Sequence, residues 1–194
     1  MSDKEYIQHP GDFILDGILI VGSSGIRIEI GNLLQELNIY QDITSPYMSG
    51  SILLKDAAGV SSALPFLGQE RLIFSLRTPG RRKIDFNEYH AIIYNVGKRV
   101  HSADKAQTVL LNFTSLENYK NIHTKISKSF KGEISSIVQE ILSSPNFIGS
   151  RKSLNIDITQ PIRKFVIPNL RPFQAINVMK QEAISKEESS PHYL

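Results

Sequence analysis

The sequence predicts an α+β fold in which an N-terminal antiparallel β-barrel is followed by a smaller, helix-rich α/β unit. Over the first part of the chain, apolar and polar residues alternate in short segments separated by turn residues, which is typical of half-buried strands. Beyond residue 115, apolar residues recur at intervals of three and four, which is typical of helices. We therefore expect two domains, residues 1–115 and residues 116–194.

Seven strands are predicted in the first domain. The alternation is strictest over residues 26–30, directly after the turn at 22–25. Pro79 and Gly80 mark another turn, because proline presets φ and glycine accepts positive φ. The predicted strands are 13–21, 26–30, 37–43, 51–56, 71–77, 89–96 and 108–114, with a short helix or irregular turn over 57–67. Consecutive antiparallel strands favour closure into a barrel or a sandwich, because closure removes exposed edges.

Two helices begin the second domain. The first covers residues 116–127, and its apolar face would consist of Leu116, Tyr119, Ile122 and Ile126. The second covers residues 132–143 and carries a continuous apolar stripe that consists of Ile134, Ile137, Val138, Ile141 and Leu142. Pro145 ends this second helix, because proline cannot continue the hydrogen-bond ladder.

Two short strands, 154–158 and 163–167, lead to a third helix. It begins at Pro172, since proline is tolerated in a first turn, where its missing N–H has no partner anyway. Its apolar side would consist of Ala175, Ile176, Val178, Met179 and Ala183, with Ile176 and Met179 facing the strands around Ile156 and Val166. Residues 191–194 resemble the start of another strand with nothing to pair with, so we expect this domain to be incomplete at its C-terminus.

Charge is unevenly distributed along the chain. The formal net charge is +3, yet residues 1–70 hold nine acidic and three basic residues, whereas residues 71–105 hold three acidic and eight basic ones. This asymmetry indicates either complementary faces that meet in an assembly or clustering on solvated surfaces. The chain has no cysteine and no apolar run near the roughly 20 residues of a membrane helix, and its N-terminus has no signal core.

The sequence carries no recognisable motif for catalysis, cofactor binding or metal binding. The five histidines are scattered, and no two have the spacing of a helical metal site. Residues 22–25 lack the last glycine of a G-x-S-x-G nucleophile turn, because Ile26 stands there. No glycine-rich loop precedes a helix to cradle phosphate. We therefore predict a protein that is not an enzyme, with no catalytic residue, cofactor or metal.

The sharpest charged feature is the cluster Arg81, Arg82 and Lys83, directly after the turn at Pro79 and Gly80. Three adjacent cations are candidates for an assembly contact with an acidic neighbour or for contact with phosphates. The alternative is a basic hairpin tip that its charge keeps soluble. No aromatic residues are interleaved with the cations, which argues against a platform that stacks single-stranded bases.

Residues 161–185 carry a family resemblance. The passage FVIPNLRPFQAINVMKQEA, residues 165–183, resembles the strand-to-helix passage of baseplate hub proteins of contractile-tailed phages, which are similar in fold to the N-terminal part of type VI secretion spike proteins. Residues 94–120 resemble the last barrel hairpin of a hub running into its first helix, and residues 130–142 resemble the next helix. Residues 13–80 fit the family only by their strand pattern.

The resemblance implies that residues 1–115 form a tail-tube-like barrel and that the protein joins the tail tube to the central spike. It implies as partners further copies of the chain (a homotrimer if full-length), a tail-tube protein and a spike protein, with DNA only as cargo through the channel. It places the protein in the virion, assembled in the host cytoplasm, and without membrane contact. Hub proteins continue into a second barrel after this point, so we expect this chain to be an N-terminal fragment.

Three other functions remain open from the residues. The chain could be a different structural protein of the tail or baseplate. An OB-type barrel that binds nucleic acid is suggested by the strand count and the basic hairpin, and its binding would depend steeply on salt. A small hydrolase would need a pocket with converging acid and base groups, which the sequence does not indicate.

Overall fold

The chain divides into two units. The computed structural model describes residues 9, 12–56, 67–80, 84–85, 91–101 and 107–186. Unit 1 lies within Met1–Tyr40 and Ser49–Leu116, and unit 2 lies within Gln41–Met48 and Glu117–Leu194. The short segment Gln41–Met48 therefore belongs to unit 2, although the strands on either side of it in the sequence belong to unit 1.

The described residues of unit 1 form an antiparallel sheet of eight strands. They are β1 (Ile14–Val21), β2 (Arg27–Glu29), β3 (Leu34–Tyr40), β4 (Ser49–Asp56), β5 (Arg71–Arg77), β6 (Ile84–Asp85), β7 (Ala91–His101) and β8 (Gln107–Ser115). The order across the sheet is β2-β1-β5-β7-β8-β4-β3, and β6 also pairs with β5. The predicted α+β class is confirmed, and the predicted barrel takes the form of a curled half-barrel.

The curl of the sheet follows from how its two ends are connected. β2 and β3 are the outermost strands, yet only a short 3-10 turn over Gly31–Leu33 separates them in the chain. Because an extended chain spans at most about 3.5 Å per residue, the two ends of the sheet must approach each other. Ile30, fully buried, sits at this connection, and its N–H donates to the carbonyl oxygen of Ile18 at 3.0 Å.

The core of unit 1 lies on one side of the sheet, where alternate residues of each strand point inward. The rings of Phe74 and Phe113 meet edge to face with centroids 6.1 Å apart. Gly50 lies opposite Phe113 in the ladder between β4 and β8. A Cβ at Gly50 would fall inside van der Waals contact with the Phe113 ring and the Asn38 carbonyl oxygen, so only glycine fits there.

Each of the seven predicted strands has a counterpart in the structure, most of them with shifted ends. β5 covers the predicted residues 71–77, whereas β3 begins three residues before the predicted 37–43. Ile43, which the prediction placed in that strand, lies outside it and is exposed. The short helix or turn predicted over 57–67 falls, except for Leu67, outside the described residues.

Unit 2 contains three helices and four strands among its described residues. They are α1 (Leu116–His123), β9 (Ile126–Gly132), α2 (Ile134–Ser143), β10 (Thr159–Gln160), β11 (Arg163–Leu170), α3 (Pro172–Lys180) and β12 (Ile184–Ser185). β9 pairs with β11 and β10 pairs with β12, both antiparallel. α2 packs on β9 and α3 on β11, so one side of the β9–β11 sheet is covered by helices.

The core of unit 2 forms where α2, α3 and the inner side of the β9–β11 sheet meet. Its buried members are Ile126, Phe130, Ile134, Ile137, Val138, Ile141, Ile148, Ile167, Phe173, Ala175, Ile176 and Met179. The apolar stripe predicted for residues 132–143 supplies four of the residues in this cluster. Leu142, the fifth, is partly buried against it.

The helix predicted over residues 116–127 is wrong in its last turn. α1 ends at His123, and Ile126 is a buried residue of β9. Ile122, assigned to the apolar face of that helix, is 44% exposed, and α1 buries Asn118 and Asn121 instead. The error arose because Ile122 and Ile126 satisfy a helical spacing, while Ile126 and Phe130 equally satisfy the alternation of a strand.

The third helix begins at Pro172, as predicted, but the predicted burial of Val178 is wrong. Val178 is 47% exposed, because the buried side of α3 is set by Ile176 and Met179. Ile176 and Met179 face β11 and Ile156, as predicted, because both belong to the core cluster that contains Ile167 and against which Ile156 packs. Val166 itself is 71% exposed, because it points away from the side of β11 on which Phe165 and Ile167 lie. The strand predicted over 154–158 is replaced by the two-residue β10.

Candidate assembly surface

The predicted contact residues Arg81, Arg82 and Lys83 lie outside the described residues. The described chain stops at the turn Pro79 and Gly80 and resumes in β6, which pairs with β5. The assembly contact at this basic cluster therefore stays a prediction.

Groups suited to metal binding do not come together in the described part of the chain. There, no three His, Cys, Asp or Glu side chains are grouped in a way that could hold an ion. The one described histidine of α1, His123, has its ring against Tyr119 with centroids 4.6 Å apart. Among the same residues, no helix is long and apolar enough to cross a membrane.

Glu70 is a buried carboxylate in unit 1, with a relative exposure of 1%. One of its oxygens accepts the N–H of Leu67 at 2.5 Å, and the other accepts the N–H of Gly68 at 3.0 Å. Its own carbonyl oxygen accepts the N–H of Ile93 at 2.9 Å. The side chain thus fixes the turn before β5, since a buried polar group needs hydrogen-bond partners.

Ser135 and Thr159 form a buried pair of hydroxyl groups in unit 2. The N–H of Ser135, in the first turn of α2, donates to Oγ1 of Thr159 at 2.9 Å. In return, the N–H of Thr159 donates to Oγ of Ser135 at 3.2 Å. The pair ties β10 to the start of α2, and each hydroxyl satisfies a backbone donor that would otherwise be buried without a partner.

Glu117 holds the loop after α2 against the start of α1. Its carboxylate accepts from Oγ of Ser150 and from Nζ of Lys152, both at 3.0 Å. Burial alone would raise the pKa of Glu117, but the Lys152 ammonium and the hydrogen bonds of Lys152, of its own backbone N–H and of Ser150 lower it below its ordinary value.

The outward side of the β9–β11 sheet carries an unusual arrangement of charge. We call it the basic face, and it consists of Ser127, Ser129, Lys131, Lys164 and Val166, all exposed. Lys131 and Lys164 are direct partners in the antiparallel ladder, as are Ser129 and Val166. The two lysines therefore project side by side, with Cβ atoms roughly 5 Å apart. Lys125, also exposed, immediately precedes β9.

Sequence reasoning missed the basic face because it assigned β9 to the flanks of two helices. The signal was present in residues 126–132, where Ile126 and Phe130 alternate with polar residues in the pattern of a strand with one buried side. Its pairing with β11 joins residues far apart in the sequence, and no local pattern indicates that Lys131 lies opposite Lys164.

Comparison with known proteins gives matches among solved structures. No family model matches the sequence, and no curated protein matches it. The tail protein from Neisseria meningitidis MC58 aligns with a TM-score of 0.52 at 12% identity, over 85% of this chain and 44% of that one. The 43 kDa tail protein of prophage MuSo2 from Shewanella oneidensis aligns with a TM-score of 0.51 at 13% identity, over 86% of this chain and 49% of that one.

A third structure aligns more loosely. It is the E. coli c3393 protein, a component of the type VI secretion system described as similar to the T4 tail proteins gp27 and gp5, with a TM-score of 0.41 at 10% identity, over 90% of this chain and 41% of that one. The two tail proteins confirm the predicted resemblance at the level of a fold shared with phage tail proteins. This chain spans about half the length of each, 44% and 49%.

Proposed function

We propose that this protein is a structural component of a phage tail, and more specifically of the baseplate hub that joins the tail tube to the central spike. The observation that carries the proposal is the fold shared with two tail proteins over 85% and 86% of this chain. In this role, residues 1–115 supply a tube-like domain, in agreement with the curled half-barrel of unit 1. Residues 116–194 supply a small α/β domain attached to it.

The proposed partners are further copies of the chain, a tail-tube protein and a spike protein, with DNA only crossing the channel. The proposed location is the virion.

We also propose that the protein works without catalysis and without a cofactor. The hydrogen bonds of Glu70, Ser135 and Thr159 support this proposal, because these buried polar groups are engaged by the protein's own backbone and hydroxyl groups rather than aimed at a substrate.

Labelling of assembled particles tests the proposal. The chain is given a C-terminal epitope tag in the strain that encodes it, tails are purified, and gold-labelled antibody is located by electron microscopy. We expect label at the end of the tube, next to the spike, in intact tails. Label along the tube or sheath would contradict the hub assignment and would indicate a different structural role in the tail. Particles without label, with the tagged chain found only outside them, would contradict a structural role altogether.

A further inference from the structure

The basic face has an energetic cost for the isolated chain. Lys131 and Lys164 lie directly opposite each other in the ladder, and like charges in that position destabilise a sheet. Both side chains are exposed, so solvent and salt weaken the repulsion without removing it. A carboxylate placed between the two ammonium groups would reverse the sign of this interaction.

Three carboxylates of unit 2 are engaged in ion pairs of their own. Glu117 pairs with Lys152 at 3.0 Å, Glu140 with Lys128 at 2.7 Å, and Glu182 with Arg163 at 3.7 Å. No acidic residue stands in β9 or β11, both of which are fully described. The two strands of the basic face therefore supply no carboxylate to Lys131 and Lys164 themselves.

The apolar residues beside the lysines favour a protein partner over nucleic acid. Val166 lies within the basic face with 71% of its surface exposed, and Ile162, just before β11, is 66% exposed. Branched apolar side chains gain by contact with other apolar side chains and offer nothing to a phosphate backbone. Neither strand carries an exposed aromatic residue on which a base could stack.

The acidic N-terminal third of the chain has the complementary properties. Residues 1–70 hold nine acidic and three basic residues. Glu29 and Glu36 are exposed on β2 and β3, the two outermost strands of the unit 1 sheet, and we call them the acidic sheet margin. Arg27 is also exposed on β2, and Oε1 of Glu36 accepts from Nδ2 of Asn38 at 2.7 Å. Tyr40, on the same strand as Glu36, is 58% exposed, so an apolar group accompanies the charge there as well.

We propose that the basic face of one copy of this chain docks on the acidic sheet margin of a second copy, with Lys131 and Lys164 receiving carboxylates from Glu29 and Glu36. The inference rests on the proposed structural role, since it specifies one contact by which copies of the chain associate. Such a contact is heterologous, because different surfaces of the two copies meet, and it therefore generates rings or filaments rather than a closed pair.

Sedimentation velocity of the full chain tests this contact. We expect wild-type chains to associate at about 0.05 M salt and to dissociate at about 0.5 M, where charges are screened beyond a few ångströms. The double variant Lys131→Glu/Lys164→Glu is expected to weaken association by about tenfold or more. A matched control, Lys55→Glu/Lys186→Glu, changes the net charge equally at two exposed lysines outside the basic face and is expected to associate like wild type.

A charge swap tests the acidic side of the same contact. Glu29→Lys/Glu36→Lys is expected to weaken association alone, and mixing it with Lys131→Glu/Lys164→Glu is expected to restore a mixed complex. A second variant guards against misfolding: Lys131→Gln/Lys164→Gln removes the repulsion, so it is expected to melt at a higher temperature than wild type and still associate more weakly. If Lys131 and Lys164 had a purely structural role, their replacement would not raise the melting temperature and weaken association at the same time.

Three results would overturn the inference. One is a wild-type chain that remains monomeric at about 100 μM in low salt, where charge complementarity acts most strongly. Another is equal behaviour of the basic-face variant and its matched control. The third is salt-dependent binding of a fluorescent DNA duplex that the basic-face variant loses, since the occupant would then be a polyanion. None of these results would contradict the proposed function, because gold-labelled antibody at the tube–spike end of purified tails would still support it.

Discussion

The backbone N–H of Phe173, in the first turn of α3, donates to Oδ1 of Asn121 on α1 at 2.9 Å. The two residues are 52 positions apart, and Asn121 is buried at 7% exposure. Asn121 thus does for α3 what a capping side chain normally does from the preceding residue. Arg171, at that local position, has no side-chain oxygen to offer, although its N–H donates to Gln174 at 3.2 Å.

Asn121→Ala is expected to lower the free energy of unfolding by about 1–2 kcal/mol, because the N–H of Phe173 would remain buried without an acceptor. Urea denaturation followed by circular dichroism measures the change. Asn155→Ala, at an exposed position of unit 2, is the matched control and is expected to change stability by no more than about 0.5 kcal/mol. Equal effects of the two substitutions would show that the long-range cap contributes nothing.

The ion pair of Glu117 predicts an acid-sensitive contribution to stability. The pKa of Glu117 is lowered in the folded state, so its contribution is complete above the ordinary glutamate pKa and is lost as pH falls through the lower folded value. Glu117→Gln is therefore expected to flatten the fall in stability between about pH 5 and pH 3. Urea titrations across this range measure the slope.

Asp157→Asn provides the control for this experiment, since Asp157 is exposed in the same unit. It is expected to leave the slope of wild type nearly unchanged. If Glu117→Gln showed the same slope as wild type while Lys152→Gln altered it, the acid sensitivity would have to come from another carboxylate.

Gly50 provides a test of the close approach between β4 and its neighbours. Gly50→Ala is expected to destabilise the fold by at least about 2 kcal/mol, because the added methyl group would overlap the Phe113 ring and the Asn38 carbonyl oxygen. At Gly31, a Cβ would meet its nearest atom, Cγ2 of Ile18, at an ordinary 3.8 Å. Gly31→Ala is thus expected to stay within about 1 kcal/mol of wild type. Thermal unfolding of the two variants measures both losses of stability, and equal losses would contradict the close approach at Gly50.

Met179 and Val178 are neighbours in α3 with opposite environments. Met179 is fully buried, and Val178 is 47% exposed. Met179→Ala is expected to cost about 2–5 kcal/mol through lost burial and the cavity left behind. Val178→Ala is expected to cost only about 0.5 kcal/mol. A larger loss at Val178 in urea denaturation would mean that the sequence-based assignment of both residues to one buried side had been right.

The parts of this fold that depend on local patterns were predictable. Alternation located the strands of unit 1, and Pro172 marked the start of α3, because both signals arise from the geometry of the chain over a few residues. Local patterns failed where two periods coincide. Ile122 and Ile126 fit a helix, yet Ile126 pairs opposite Leu170 in a sheet. Only packing against a distant segment decides between the two.

Pairing between distant strands was not predictable. No short segment encodes the contacts that place β4 between β8 and β3. The same is true of the ladder that brings Lys131 opposite Lys164. The place of Tyr47 in unit 2 is a further example, since its ring stacks on Phe173 with centroids 6.4 Å apart although the strands before and after its segment belong to unit 1. The basic face was missed for the same reason, while the charge asymmetry of the whole chain was visible from composition.

The strand order of unit 1 has a consequence for how fast the protein acquires its structure. β1 pairs with β5 and β4 with β8, so these ladders join residues roughly 50–65 positions apart. Such non-local pairing slows folding to milliseconds or seconds. During synthesis, β4 leaves the ribosome long before β8 exists. One edge of β4 therefore has no native partner strand until residue 115 has emerged. During that interval, a nascent chain of this topology is most prone to aggregation.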